Sequence, residues 1–157
     1  MQTFIWILVF VLTFCVMEFL AWATHKYVMH GFLWSLHQDH HHKKHNSWWE
    51  KNDLFFIFYA LISIGFFLLW RYESVWIGLP IGLGIFAYGL AYFGVHDIFI
   101  HQRFKLFRKA NGWYGQALRR AHKMHHKHIG KEDGESFGML FPPVKYFKQA
   151  RQTNKGK

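Results

Sequence analysis

Residues 4–23 read FIWILVFVLTFCVMEFLAWA, and residues 25–30 that follow read HKYVMH. The first stretch decides the fold. Its only polar side chains are Thr13 and Glu18. Twenty residues rising 1.5 Å each reach about 30 Å, the thickness of a bilayer's hydrocarbon core. A cleaved leader is the competing reading, with Ala21-Trp22-Ala23 as its cleavage site. It is disfavoured, because no Lys or Arg precedes Lys26 and the apolar run is too long for a signal core.

Working outward, residues 54–70 (LFFIFYALISIGFFLLW) and 75–95 (VWIGLPIGLGIFAYGLAYFGV) are expected as two further spans. Gly78, Gly82, Gly84 and Gly89 suit close helix packing in lipid. Pro80 falls in the first turns, where a missing N–H matters least. Arg71 to Ser74 is expected as a four-residue turn. A buried soluble helix pair is the alternative, and the lack of polar faces speaks against it. The chain has 157 residues, 52% of them apolar and 18% charged, so disorder is excluded and one domain over 1–157 is expected. The single Cys excludes a disulfide framework and any Cys-based zinc module. The fold class is therefore all-α: an integral membrane protein of three transmembrane helices with a helical cap.

Charge sets the orientation. The net charge is +10, and residues after 96 carry all of it, with 14 Lys/Arg against 4 Asp/Glu. The loop after the first span holds Lys26, Lys43, Lys44 and Lys51, whereas the opposite side holds only Arg71. The positive-inside rule then puts 24–53 and 96–157 in the cytoplasm and the N-terminus outside. The basic tail reads as a topology signal with attraction to anionic membrane lipid. Nucleic acid is not an expected partner, because the aromatics lie in the apolar spans rather than among the basic residues. Residues 146–157 lie beyond every histidine motif and are expected to be dispensable.

The 13 histidines repeat two formulas in one order. His25-x4-His30 precedes His37-x2-His40-His41, and His96-x4-His101 precedes His122-x2-His125-His126. On a helix, H-x2-H-H sets three imidazoles close to one face. H-x4-H is about 140° out of register on an ideal α-helix, so its rings either straddle a cluster or converge through a bulge or a helix end. All ten residues sit just past the spans, on one side of the membrane. Ten nitrogen ligands exceed the needs of one ion, so a two-metal site is expected. All-imidazole ligation suits Fe, Zn, Cu or Ni and disfavours Mg or Ca. His42, His45 and His128 fall outside the formulas and are read as solvated or outer residues. Asp97 is a candidate to orient a neighbouring ligand. Glu18, one stripe deeper than His25, is read either as such an outer acceptor or as a partner of another span.

These formulas, in this order, resemble the membrane-bound fatty acid hydroxylase and sterol desaturase superfamily. Within it, His25-Lys-Tyr-Val-Met-His30-Gly-Phe-Leu-Trp34, His96-Asp-Ile-Phe-Ile-His101-Gln-Arg-Phe104 and Glu135-Ser-Phe-Gly138 are similar to the bacterial β-carotene hydroxylases. The resemblance implies an oxidoreductase, a non-haem di-iron monooxygenase of the bacterial inner membrane. It implies two iron ions, O2 as co-substrate, a ferredoxin-type electron donor, and a carotenoid substrate drawn from the bilayer. The implied reaction is 3-hydroxylation of β-ionone rings, to β-cryptoxanthin and then zeaxanthin. The alternatives are a hydroxylase or desaturase of a fatty acyl chain or sterol, and a non-enzymatic histidine-rich metal-binding membrane protein.

Overall fold

The computed structural model describes residues 1–42, 47–109, 112–128 and 132–155, and every regular element among them is helical. Helix α1 (Gln2–Ala23) runs without interruption into a π-helical segment, π1 (Thr24–Phe32). A short helix α2 (Trp34–His41) follows. Helices α3 (Asp53–Tyr72) and α4 (Gly78–Tyr92) form a hairpin, and α4 continues into a second π segment, π2 (Phe93–Ile100). Helices α5 (Trp113–Lys127) and α6 (Val144–Lys155) complete the chain. Three of these bodies, Gln2–Phe32, Asp53–Tyr72 and Gly78–Ile100, are long and apolar enough to cross a membrane.

The three expected spans are present with shifted ends. The turn between the second and third covers 73–77 rather than 71–74, because α3 keeps its helical bonds through Arg71 and Tyr72. Hydropathy marks where apolar side chains stop, while a helix can run on into the interface with a long polar side chain on its last turn. Val75 to Ile77, expected inside the third span, belong to the turn that leads into α4, where the Gly78 N–H donates to Val75 O at 2.8 Å.

Helix α4 is the middle element, with α3 on one side and α1 on the other. Two glycines set these distances. A Cβ on Gly78 would lie 2.6 Å from Phe66 O of α3, and one on Gly84 would lie 2.7 Å from Thr13 Cβ of α1. Close backbone approach of this kind is what small residues permit between membrane helices. Ser63 of α3 donates to Gly82 O at 2.8 Å, which satisfies a hydroxyl that lipid cannot. On α1 only Met17 is buried, while Phe4, Ile7, Val11, Leu12 and Phe19 are exposed, an outer surface suited to lipid.

The C-terminal ends of α1 and α4 and the N-terminal end of α3 meet at one end of this bundle, where α2 and α5 lie. There α6 packs on α5, with Tyr146 and Ala150 buried against Ala117 and Ala121. Residues 146–157, expected to be dispensable for activity, thus supply part of the packing behind α5. Tyr146 is 2% exposed, and its loss would uncover the back of the helix that carries His122, His125 and His126.

Candidate metal centre

The H-x4-H pairs meet because the backbone there is π-helical. The His101 N–H donates to His96 O at 2.9 Å, and the Leu33 N–H donates to Val28 O at 3.0 Å. These are five-residue steps, and a helix closing on five residues brings i and i+5 one turn apart. The ring centroids of His25 and His30 are then 5.1 Å apart, and those of His96 and His101 4.5 Å apart.

The ligand nitrogens gather into two groups. His25, His30, His37, His41 and His125 form one, and His40, His101, His122 and His126 form the other, with the atoms of each group within 4.8 Å of one another. His96 borders the second, its Nε2 3.1 Å from Nε2 of His40. Each H-x2-H-H helix therefore serves both groups. His37 and His41 go one way and His40 the other; His122 and His126 go one way and His125 the other. On a helix, i and i+4 differ by about 40°, while i+3 and i+4 stand about 100° apart. Both helices thus straddle the two groups instead of presenting three rings to one.

The outer nitrogens of His25, His37, His125, His40 and His96 are held by the protein. In the His25 group, His25 Nδ1 lies 2.9 Å from Phe137 O, His37 Nδ1 2.7 Å from Asn52 Oδ1, and His125 Nδ1 3.1 Å from Glu135 O. In the His40 group, His40 Nδ1 lies 2.9 Å from Glu50 Oε2 and His96 Nδ1 3.3 Å from Asp97 Oδ2. Each acceptor draws the ring proton to Nδ1, which leaves Nε2 as a bare lone pair. Yet His25 and His37 bring their Nε2 atoms to 3.1 Å, as do His40 and His96. Neutral rings of these tautomers have no proton to place between those nitrogens. Converging lone pairs in a buried pocket repel unless a cation lies among them, so this donor set fits metal ions of the nitrogen-preferring kind.

Burial keeps these rings neutral. It lowers the imidazole of His37 to about 3, that of His126 to about 4 and that of His125 to about 2, with neighbouring histidines adding to the effect. His40, His101 and His122 are likewise pushed well below the ordinary value by burial first and neighbouring rings second. A metal ligand must be unprotonated, so the site is set for binding across the physiological range.

Two holding devices back the site. Arg103 bridges Glu50 Oε2 at 2.7 Å, Asp53 Oδ1 at 2.9 Å and Asp97 Oδ1 at 3.0 Å. On the other side, Glu18 Oε1 accepts the backbone N–H groups of Met139, Leu140 and Phe141 at 2.9–3.2 Å, and Glu18 Oε2 accepts from the Tyr88 hydroxyl at 2.6 Å. Glu18 thus pairs with another span and with a strap formed by residues 135–141, not with a histidine. That strap supplies Glu135 O and Phe137 O to His125 and His25. Ser136 between them adopts φ 62°. Lys145 and Tyr146 of α6 grip the Glu135 carboxylate, the latter at 2.6 Å.

Sequence reasoning missed Glu50, Asn52, Arg103 and the strap carbonyls. Scarcity was the available signal, since residues 1–96 hold only five acidic side chains, and Glu50 and Asp53 are two of them. Among the residues outside the formulas, His42 is exposed and His128 half-buried, while His45 lies outside the described residues. An apolar cavity of about 550 Å³ runs between α1, α3 and α4. Met17, Tyr59, Ile85 and Tyr88 line its depth, and His25 and Asp97 stand at its wall.

The chain belongs to the fatty acid hydroxylase family, whose pattern matches residues 10–147. It is 38% identical over 148 residues to the β-carotene hydroxylase of a Paracoccus species, covering 90% of this chain and 88% of that protein. It is 41% identical over 127 residues to the β-carotene hydroxylase of Pantoea ananas, covering 81% and 71%. A chloroplastic β-carotene 3-hydroxylase of Arabidopsis thaliana is 36% identical over 132 residues, covering 81% of this chain and 41% of that protein. No solved structure matches the chain.

Proposed function

We propose that this chain is a β-carotene 3-hydroxylase, an O2-dependent oxidoreductase that converts β-carotene to β-cryptoxanthin and then to zeaxanthin. The observation that carries the reading is the meeting of two features: converging Nε2 lone pairs, and an apolar cavity with one of those rings, His25, in its wall. The names of the most similar relatives support the same substrate. In this reading residues 1–157 are one membrane-bound hydroxylase domain, and its ten formula histidines hold two irons. The centre faces the cytoplasm of the bacterial inner membrane, as the basic charge of the loops and tail favours. Electrons arrive from a ferredoxin-type donor.

Bound iron would supply the activation of O2 and an oxidant for an unactivated C–H bond. The protein's part is to position and to exclude. The imidazoles would bind the iron through Nε2, and Asn52, Glu50, Asp97 and the strap carbonyls fix the rings of His37, His40, His96, His25 and His125. The cavity walls hold the polyene along the spans and keep water from the reacting ring. A substrate dissolved in the bilayer, about as long as the core is thick, suits an opening between transmembrane helices.

The test is expression in cells that make β-carotene, with pigment analysis under ¹⁸O2. The mono-hydroxylated pigment should appear first and zeaxanthin accumulate later, with one heavy oxygen per hydroxyl. Unchanged pigment together with newly hydroxylated or desaturated acyl chains would transfer the activity to another membrane lipid.

A further inference from the structure

The two histidine groups differ in what stands behind them. In the group around His25, the Nδ1 atoms of His25, His125 and His37 have neutral partners: the carbonyls of Phe137 and Glu135 and the amide oxygen of Asn52. Around His40 they are carboxylates, Glu50 and Asp97. Those carboxylates belong to one network with Asp53 and Arg103, whose side chains are between 8% and 16% exposed. Three carboxylates against one guanidinium leave two negative charges in excess, and among the described contacts this network touches the rings of His40 and His96. Arg103 holds this excess in place, since it joins residue 50, the start of α3 and π2.

A carboxylate on Nδ1–H makes the imidazole a stronger donor through Nε2. Excess negative charge in a poorly solvated site also favours a cation directly. We propose that the two groups are unequal cation sites, with the His40 group filling first and holding its ion more tightly, and with Glu50, Asp97 and Arg103 as its positioning residues. The inference rests on the metal reading above and adds an order and an asymmetry to it.

Cobalt(II) alone is the probe. The full chain in detergent, stripped of metal, is titrated and followed by visible absorption and by metal content after gel filtration. Two binding steps are expected, separated by at least about tenfold in affinity. His122→Ala should remove the tight step and leave the weak one, and His25→Ala should do the reverse. Glu50→Gln still offers His40 an oxygen acceptor but carries no charge. It should weaken the tight step by about tenfold and leave the other step and the helical circular dichroism unchanged. Two equal steps, a tight step lost in His25→Ala, or a tight step untouched by Glu50→Gln would each overturn the asymmetry while leaving a metal centre in place. Wild-type chain that takes up no cobalt would overturn the metal reading itself, and the asymmetry with it.

Discussion

The His25 group and the His40 group are built from the same residue type at mirrored spacings, yet they are held by opposite means. One is fixed by carbonyl oxygens on a backbone strap that a carboxylate inside a span ties down. The other is fixed by carboxylates that a buried guanidinium ties together. Dipoles orient a ring and add little charge, whereas carboxylates orient it and make it a better donor. A repeat in the sequence thus does not make a repeat in the chemistry.

The harshest way to break the comparison is to remove a ligand from each group. His25→Ala and His122→Ala should each cut turnover by more than about a hundredfold, by opening the site and disordering its neighbours. Each should also retain about half the iron of the parent, measured by elemental analysis. Full activity in either variant would mean that the group it belongs to is not needed.

Removing outer partners sharpens the contrast. Asn52→Ala and Glu50→Ala should each reduce metal retention or activity by about 10- to 100-fold. Glu50→Ala should be the worse of the two, because it also removes one of the three carboxylates that hold Arg103. A more severe Asn52→Ala, in iron content after dialysis, would contradict the assigned roles.

Acid tests what the groups share. Burial depresses the folded-state imidazoles of His37, His125 and His126 to about 3, 2 and 4. The unfolded chain takes up protons below its usual value near 6.5 while the folded chain refuses them. The unfolded state therefore binds more protons, and stability falls with falling pH. Metal-free protein should melt at a lower temperature at pH 5 than at pH 7, and be nearly indifferent between pH 7 and 8. Bound metal should flatten the difference, which differential scanning fluorimetry can read.

Two smaller changes act on the strap. Glu18→Ala leaves three backbone N–H groups without their acceptor, a local cost of about 1–3 kcal/mol. Hydrogen exchange should quicken at residues 139–141 while the segment at Arg103 stays protected. Ser136→Gly is the mildest: it relieves a left-handed backbone at a serine whose hydroxyl has no partner. Stability should shift by less than about 1 kcal/mol in denaturant titration.

Much of this was legible in the residues. Apolar runs of membrane length announced the spans, and the repeated formulas placed ten histidines at one end of them. The i, i+5 step left a departure from α geometry as one of its two readings, and two π segments provide it. The division of the rings was not legible, because spacing fixes an angle on a helix but not where its neighbours stand. Nor was the strap, since the oxygens of Glu135 and Phe137 that face the rings are main-chain atoms with no side-chain signature. Glu18 was conspicuous as an acid in an apolar helix, but its partners lie 70 and more than 120 residues away. The packing of the tail was not legible either, because α6 carries no histidine, yet it lies against the helix that does.

The straddling of α2 and α5 has a consequence for how the protein comes to be. Neither cluster can be completed by one half of the chain: the first needs His125 from α5, and the second needs His40 from α2. During synthesis the spans and α2 exist before α5 has left the ribosome, so at that stage the early histidines form two partial cups. Each cup closes only when the last third of the chain folds back over it. Ions bound there act as rivets, driven after the plates are aligned, and a chain truncated before His122 would lose both sites at once rather than one.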